Sequence, residues 1–234
     1  MRKKVDHEAD VLRVQPLSPS FTRIELGGPG LRDWSTLDVP DEGCVFRFPG
    51  DETHPAPDAL RGRWYTVRDF DPGEGRMTVD FMVHPGGPGG DWAASAKPGD
   101  RLRIVCQDSW YQRPDEIRWQ WLVGDVVGVP AFARIVEETA GRFPTTAVIE
   151  VPDTDDRLPL PGADVTWLHN PGMTAGTSVL LDAVRRLPVP QGPGYVYVAG
   201  EAAATRDVRR HLREELRLPD GSYNVIGYWR AGAA

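Results

Sequence analysis

The segment RWYTVR, residues 63–68, concentrates side chains that can bind an aromatic ligand carrying phosphates. Arg63 offers a forked donor for phosphate oxygens, Tyr65 a flat ring, and Thr66 a hydroxyl for a ring nitrogen. On a strand, Arg63 and Tyr65 share one face and Thr66 lies on the other. These groups match the needs of a flavin nucleotide, although an ordinary strand of aromatic and arginine residues explains the segment equally well.

A glycine-rich run follows at residues 83–100, VHPGGPGGDWAASAKPGD. Glycine lets a backbone approach an anion closely, and the N–H groups at a helix start can bind a pyrophosphate. Asp91 can cap the short helix, and Pro98-Gly99 ends it. A lone run of this kind is more often a surface turn, but its position between a strand and a helix favours a nucleotide site.

Two strand–turn–helix segments, residues 122–138 and 196–212, have the form of a nucleotide-binding crossover. Ligands of open α/β sheets bind at the carboxyl ends of strands, where Asp125 and Glu201 fall together with Gly124 and Gly200. The first segment lacks GxGxxG and is a weak fingerprint. Turn and cap chemistry explains both carboxylates about as well as a ligand role.

Hydrophobic periodicity divides the chain into two predicted domains. In residues 1–113, short alternating strands joined by Gly and Pro turns predict a small antiparallel barrel or sandwich. In residues 114–234, strands alternate with helices, which predicts a parallel, doubly wound sheet.

Composition narrows the class of protein. The 234 residues carry a net charge of -7, which argues against a nucleic-acid partner. We find neither a signal peptide nor an apolar run long enough to span a membrane, and predict a cytoplasmic monomer. Cys44 and Cys106 do not form a disulfide framework, and five scattered histidines give no expectation of a protein-bound metal.

In their order along the chain, these motifs resemble the siderophore-interacting protein family, flavin-dependent ferric-siderophore reductases of the ferredoxin-reductase-like superfamily. The resemblance runs nearly end to end, through FTRIELGGPGL, RWYTVRDF, DFMVHPGGPGGDWAASAKPGD, GDVVGVPAFARI, VAGEAAATRDVRRHL and GYWRAG. It implies an antiparallel six-stranded FAD-binding barrel at residues 1–113 and a Rossmann-like NAD(P)H-binding domain with a parallel sheet at residues 114–234.

The resemblance also implies roles for matching residues. Arg63 would bind the flavin phosphates, Tyr65 would stack on the flavin, and Thr66 would lie near the N5 atom that accepts hydride, so Tyr65 and Thr66 are the expected catalytic residues. The other residues implied to bind FAD are Trp64, Val83, His84, Gly86, Gly87, Gly89, Gly90 and Trp92. The nicotinamide cofactor would be flanked by Asp125, Pro130, Gly200 and Glu201, and the anionic chelate would face Arg68 and Arg230, although a solvated arginine explains Arg230 slightly better.

The chain departs from the family pattern at three places. Gly89-Gly90 stands where the family has Ala-Ser, and CQDS replaces a Gly-Pro after the last barrel strand. Residues 126–128, Val-Val-Gly, replace Glu-Thr-Ala, so a polar side chain near the nicotinamide is lost. Because of these departures, the flavin half of the assignment is better supported than the nicotinamide half.

The predicted function is transfer of electrons from NADPH or NADH through FAD to a ferric siderophore, which releases iron(II) because oxygen-rich chelators hold it less tightly. Two alternatives stay open: a flavoenzyme of biosynthesis or electron transfer that does not use NAD(P)H directly, and a non-catalytic siderophore-binding module. Four arginines, at 206, 209, 210 and 213, could favour the 2′-phosphate of NADPH, but a solvated helix face explains them better.

Overall fold

The structure is a computed structural model that describes residues 2–48, 62–84, 86–173 and 176–232. The chain divides between Ser109 and Trp110 into two compact units, here called the first and second unit; the sequence places this boundary after residue 113. Within the described ranges, no helix has the length and apolar character needed to cross a membrane.

Seven strands build the sheet of the first unit: β1 (Lys3–Pro16), β2 (Phe21–Gly27), β3 (Gly43–Arg47), β4 (Arg63–Thr66), β5 (Asp69–Asp71), β6 (Arg76–Met82) and β7 (Arg101–Asp108). Their order is β4-β3-β7-β1-β2-β6-β5, and all neighbours are antiparallel. The edge strands β4 and β5 are joined by Val67 and Arg68 alone, so the two edges meet and the sheet closes into a barrel. The chain changes edge at this point: the Val67 N–H donates to the Glu42 carbonyl oxygen beside β3 at 2.8 Å, and the Arg68 N–H donates to the Thr78 carbonyl oxygen of β6 at 2.9 Å. The predicted antiparallel barrel is confirmed.

The barrel has seven strands where the family resemblance implies six. Strand β1 lies in the middle of the sheet although it is rich in charged residues. Its Ala9 and Val11 enter the barrel core, while outward carboxylates pair with a neighbouring strand: Asp6 accepts two hydrogen bonds of 2.7 Å from Arg103. The segment RWYTVRDF forms two strands because the chain passes from one sheet edge to the other at Val67.

The core of the first unit is the inside of this barrel. Its fully buried members include Ile24, Leu26, Phe46, Met77, Val79, Phe81 and Ile104. They follow the alternation of β2, β3, β6 and β7, since every second residue of a strand faces the same side. A single helix, α1 (Pro88–Ser95), connects β6 to β7 and packs Ala93 into the same core.

A five-stranded parallel sheet forms the centre of the second unit. Its strands are β8 (Trp119–Asp125), β9 (Thr145–Val151), β10 (Asp164–His169), β11 (Gly194–Glu201) and β12 (Tyr223–Trp229), in the order β10-β9-β8-β11-β12. The connecting helices are α2 (Val129–Thr139), α3 (Leu180–Arg185) and α4 (Ala202–Arg210), the last continued by a π-helical turn over His211–Glu215. The predicted Rossmann-like parallel sheet is confirmed.

The strand order reverses between β8 and β11, where the chain leaves the edge strand β10 and re-enters beside β8. This reversal opens a crevice at the carboxyl ends of the two strands, which is the usual ligand position in such sheets. Every residue of β8 is buried, which explains its continuous apolar run. Gln120 satisfies its buried amide through Tyr111, Thr139 and Thr145 at 2.7–2.9 Å.

Candidate functional site

Strand β4 places Arg63 and Tyr65 on the barrel-facing side of the sheet. Directly opposite residues of antiparallel strands share a face. Arg63 lies opposite Phe46 and Tyr65 opposite Cys44, and both partners are fully buried. The two candidate ligand-binding side chains therefore point the same way, as strand alternation predicts.

The ring of Tyr65 belongs to a group of five aromatic side chains, here called the aromatic cluster: Phe46, Phe48, Tyr65, Phe81 and Trp92. Tyr65 and Phe81 are the nearest pair, with ring centroids 4.4 Å apart. Trp92 lies 5.5 Å from both Phe48 and Phe81 and so joins α1 to the barrel wall. Aromatic pairs at these separations add to the stability of a core beyond the area they bury.

The hydroxyl of Tyr65 lies against the first turn of α1. A Cβ atom at Gly89 would overlap this hydroxyl, so the absence of a side chain at Gly89 is what allows the approach. Burial raises the pKa of Tyr65, although the nearby charge of Arg63 lowers it, so the hydroxyl keeps its proton at neutral pH. Tyr65 is therefore a hydrogen-bond donor beside the start of a helix.

The glycine-rich run forms the amino end of α1. The helix begins at Pro88 after Gly87, so the expected capping role of Asp91 is not found; its Oδ1 instead accepts from the Gly86 N–H at 3.1 Å. A Cβ at Gly90 would lie 2.5 Å from the His84 carbonyl oxygen, and Gly86 has a φ of +82° that favours glycine. The first N–H groups of a helix have no acceptor within it, which makes this turn suitable for an anion.

The guanidinium of Arg63 is only half-buried and donates to the Gly62 carbonyl oxygen at 3.4 Å. Within the described part of the first unit, no carboxylate pairs with it. Its remaining donors are therefore available for an external anion, in contrast to Arg23 and Arg103, which form two-point contacts with Asp80 and Asp6.

The other candidate residues of the first unit do not share the face of β4 that carries Arg63 and Tyr65. Trp64 lies on the opposite face of β4 from Tyr65, with the Arg2 guanidinium 5.4 Å above its ring. Thr66 shares that face at the end of the strand, is 8% exposed and lies opposite Gly43. Val83 is fixed by a 2.8 Å bond from its N–H to Ser20, and His84 is exposed.

We expect Gly89→Ala to destabilise the first unit by about 1–3 kcal/mol, because the added methyl group forces Tyr65 out of the aromatic cluster. Amide hydrogen exchange of β4 and α1 measures this stability locally. Gly73→Ala is the matched control, since Gly73 is exposed in a turn and has no positive φ. Unchanged exchange in Gly89→Ala would contradict the close contact.

In the second unit, Asp125 occupies the carboxyl end of β8 and accepts three hydrogen bonds. The donors are the N–H of Val127 at 3.0 Å, the N–H of Glu201 at 2.7 Å and the indole N–H of Trp229 at 2.8 Å. The carboxylate thereby joins β8, β11 and β12 at the strand-order reversal. Gly200 makes room for it, since a Cβ there would lie 2.6 Å from Asp125 Oδ2.

Burial has the largest effect on the pKa of the Asp125 carboxyl. It raises the pKa of this carboxyl to about 6, against the hydrogen bonds from Trp229, Glu201 and Val127, which lower it. The negative charge of Glu150 raises it further. Asp125 is therefore ionised but close to its titration range at neutral pH.

Glu201 ends β11 and caps α4. Its Oε2 accepts from the N–H groups of Ala203 and Ala204, and its Oε1 from the N–H of Ala231 at 3.3 Å. Burial acts to raise the pKa of Glu201, but these hydrogen bonds and the charge of Arg206 outweigh it and leave the pKa lowered. Glu201 is an anion fixed at the amino end of α4.

A cleft of about 150 Å³ lies at the carboxyl ends of the parallel strands. Its wall is formed by Asp125, Glu150, Asn170, Met173, Gly176, Ser178, Glu201, Ala203, Ala204, Asp207 and Trp229. Of the residues predicted from sequence, Asp125 and Glu201 line it. Pro130 is buried in the first turn of α2, Gly200 lies behind Asp125, and Arg230 is exposed after β12.

Sequence reasoning missed several cleft residues, including Glu150, Asn170, Asp207 and Trp229. Glu150 and Trp229 come at or next to the last residue of predicted strands, and Asn170 follows one directly. The position at a strand end, rather than a motif, is the signal that could have found them.

An antiparallel barrel followed by a parallel sheet with this strand order is a ferredoxin-reductase-like fold: the ferredoxin reductase in carbazole 1,9a-dioxygenase shares it with a TM-score of 0.74 at 15% identity, over 97% of this chain and 70% of that one. Residues 10–107 match the family model described as siderophore-interacting FAD-binding domain, and residues 117–232 match that of siderophore-interacting protein. A solved siderophore utilization protein from T. fusca is 32% identical, with a TM-score of 0.88 and coverage of 100% of this chain and 98% of that one. The chain belongs to the siderophore-interacting protein family.

Three curated relatives extend the comparison. Ferric vibriobactin reductase ViuB of Vibrio cholerae is 31% identical over 73% of this chain and 65% of its own length. Mycobactin import ATP-binding/permease protein IrtA of Mycobacterium tuberculosis is 30% identical over 98% of this chain. NADPH-dependent ferric-chelate reductase of Escherichia coli is 28% identical over 96% of this chain and 92% of its own length. The chain spans 26% of IrtA and less than two thirds of ViuB.

The residues of the first unit fit FAD, which the matched domain model implies. Arg63 has donors for phosphate, and the glycines at the start of α1 leave backbone N–H groups open to an anion. Tyr65 supplies a protonated hydroxyl and an aromatic ring beside them. The prediction of a flavin cofactor is confirmed by the family match.

Proposed function

We propose that the protein is a reductase that passes electrons from NAD(P)H through FAD to a ferric siderophore and releases iron(II). The observation that carries the proposal is the arrangement on β4: an arginine without a carboxylate partner in the described chain shares a face with a tyrosine held at a glycine-lined helix start. The names of ViuB and of the Escherichia coli relative support a ferric chelate as the electron acceptor.

When bound, FAD accepts a hydride and gives up single electrons, which matches a two-electron donor to one-electron iron. The residues of this chain bind and orient it. Arg63 and the N–H groups at Gly89 and Gly90 hold the phosphates, and Tyr65 fixes the ring system and keeps its proton. Thr66 is the last residue of β4 and lies on the face opposite Tyr65, so in this proposal its hydroxyl approaches the reactive part of the ring from the end of the strand.

The remaining assignments are parts of the same proposal. Val83, His84, Gly86 and Gly87 contribute backbone around the phosphates, and Trp92 supports Tyr65 through the aromatic cluster. Asp125 and Glu201 shape the nicotinamide side of the cleft, and Arg68 and Arg230 face the anionic chelate. A cytoplasmic location, where NAD(P)H is available, belongs to this proposal. So does a monomeric state, which light scattering after size-exclusion chromatography tests.

The test is anaerobic mixing of the FAD-loaded protein, NADH or NADPH, and a ferric chelate, with iron(II) followed by a colorimetric chelator. We expect iron(II) to form in proportion to enzyme. Formation no faster than in an enzyme-free control would reject the proposal. A sample without FAD is the matched control, because it retains the protein surface and lacks the electron carrier.

One observation favours a flavoenzyme that receives electrons from a different donor. The carboxylates of Asp125 and Glu201 accept hydrogen bonds from backbone N–H groups at the two helical starts that border the cleft. A nucleotide pyrophosphate would need the same N–H groups as donors. Bleaching of the flavin absorbance by NADH or NADPH separates the two functions. Persistent yellow colour with both nucleotides, and reduction of the chelate after dithionite treatment, would select this alternative.

A further inference from the structure

Four polar residues of the cleft wall, here called the outer cleft, make no hydrogen bond to Asp125: Glu150, Asn170, Ser178 and Asp207. The side chains of the whole cleft wall include four carboxylates and, among the described residues, neither lysine nor arginine. The carboxylate oxygens of Asp125 and Glu201 accept six hydrogen bonds from groups within the protein. The outer cleft therefore contains the polar groups that remain for a ligand.

Asn170 is the clearest sign of a ligand. It is 7% exposed and lines the cleft. Its backbone is fixed by bonds to Val151 and Met173 at 2.9 and 3.2 Å, but its side-chain amide has no hydrogen-bond partner within the described residues. Because Asn170 lines the cleft, its side-chain amide can donate to or accept from a ligand hydroxyl there.

Glu150 lies beside it and is 4% exposed. One of its oxygens, Oε1, accepts from the Ser178 hydroxyl at 3.1 Å and from the Val179 N–H at 2.5 Å. These contacts fix the carboxylate in place and use only this oxygen. The second oxygen is an acceptor set rigidly at the wall of the cleft.

The place of Glu150 in the sheet decides which ligand group it can meet. It is paired in register with Asp125, on the strand that neighbours β8 on the side away from the strand-order reversal. In dinucleotide-binding sheets an acidic residue in this region accepts from the adenosine ribose 2′-hydroxyl, whereas an arginine accommodates the 2′-phosphate of NADP. Glu150 is an acidic residue of the first kind, which accepts a hydrogen bond from the ribose 2′-hydroxyl.

We propose that Glu150 and Asn170 bind the ribose hydroxyls of NADH and exclude NADPH from this protein. The inference rests on the proposed function and names the electron donor of that function. A 2′-phosphate would meet the carboxylate of Glu150, and the described residues of the wall include no lysine or arginine to balance it; Asp207 on the same wall is paired with Arg210 at 2.9 Å. The arginines of α4 and of the π-helical turn do not line the cleft: the charge of Arg206 acts on Glu201, Arg209 donates to the Val225 carbonyl oxygen, Arg210 to Asp207, and Arg213 to Glu214.

Calorimetric titration of the FAD-loaded protein with NAD⁺ and NADP⁺ tests the inference independently of turnover. We expect NAD⁺ to bind at least about tenfold more tightly, since like charges at a binding site are costly. Stopped-flow reduction of the flavin by NADH and NADPH should show the same order of preference.

Two variants of opposite effect sharpen the test. Glu150→Gln keeps an oxygen for Ser178 and Val179 and replaces the other oxygen with an NH₂ group, so NAD⁺ should weaken, NADP⁺ should strengthen and their ratio should move about tenfold. Asn170→Asp adds a carboxylate and should disfavour NADP⁺ further. Asp220→Asn, an exposed site outside the cleft, should leave the ratio unchanged.

The outcomes separate this inference from the function it deepens. Equal or tighter binding of NADP⁺ by the wild type, or an unchanged ratio in folded Glu150→Gln, would overturn it, while NADPH-driven iron(II) release would still support the proposed function. Should neither nucleotide bind, the donor half of the proposed function fails together with the inference. The wild-type ratio decides the matter even if a variant does not fold.

Discussion

Arg63→Ala is expected to weaken the binding of FAD about 100-fold and to leave riboflavin binding unchanged. A charged hydrogen bond contributes up to ~3 kcal/mol, and Arg63 has no carboxylate partner in the described chain that would compete with a phosphate. Riboflavin lacks the diphosphate, so the loss should appear only with FAD. Flavin fluorescence titration of the apoprotein measures both affinities.

Two further variants control for effects on folding. Arg63→Lys should fall between wild type and alanine, because an ammonium replaces the forked guanidinium with a point charge. Arg13→Ala removes an exposed arginine of the same unit, paired with Glu25 at 3.5 Å, and should bind FAD normally. Equal loss of FAD and riboflavin in Arg63→Ala would show that Arg63 supports the fold and does not bind phosphate.

The parallel half of the fold could be predicted from sequence because its signals are local. Strands such as β8 and β11 are apolar on both faces and are bounded by glycine or charged residues. The helix α2 has Pro130 in its first turn and Gly141, at a φ of +73°, after its end. Alternation of such elements restricts the sheet to a few topologies, and the observed order is among them.

The barrel could be predicted as a class but not in its number of strands. Strand β1 carries Lys3, Lys4, Asp6, Glu8 and Asp10 and reads as a polar terminus. It is stable as a strand because its partners β2 and β7 supply the complementary charges, such as Arg101 and Arg103. That information lies up to 97 residues away and is not present in any local window.

The candidate site shows the same division between local and distant information. Arg63 and Tyr65 were found because their spacing on one strand is a local pattern. Glu150 and Trp229 lie on two different strands and Asn170 directly follows a third, and only the sheet brings them to one cleft. The Tyr65–Gly89 contact likewise needs the barrel to close before α1 can meet β4. A sequence motif can identify functional side chains that lie on one strand or helix. Side chains that lie on different elements are identified only once the fold brings them together.

Asp125→Ala is expected to lower the free energy of unfolding of the second unit by about 2–4 kcal/mol at pH 8. The change leaves the N–H groups of Val127, Glu201 and Trp229 without their acceptor. Each buried donor left unpaired costs ~1–3 kcal/mol, and the removal of a buried charge offsets part of the sum. Hydrogen exchange of the β8 and β11 amides, converted to local stability, provides the measurement.

The loss of unfolding free energy caused by Asp125→Ala should grow as the pH falls from 8 to 5. The pKa of Asp125 in the folded protein, about 6, lies above the unfolded value of ~3.9, so the folded state binds a proton more readily between these limits. The stabilisation by that proton is complete below the unfolded pKa and is lost as the pH rises through about 6. The difference between wild type and alanine should therefore increase by up to ~1.4 kcal/mol per pH unit below 6. Glu116→Gln, at an exposed site of the same unit, should show no such trend, and a difference that is constant or smaller at pH 5 would contradict the raised pKa of Asp125.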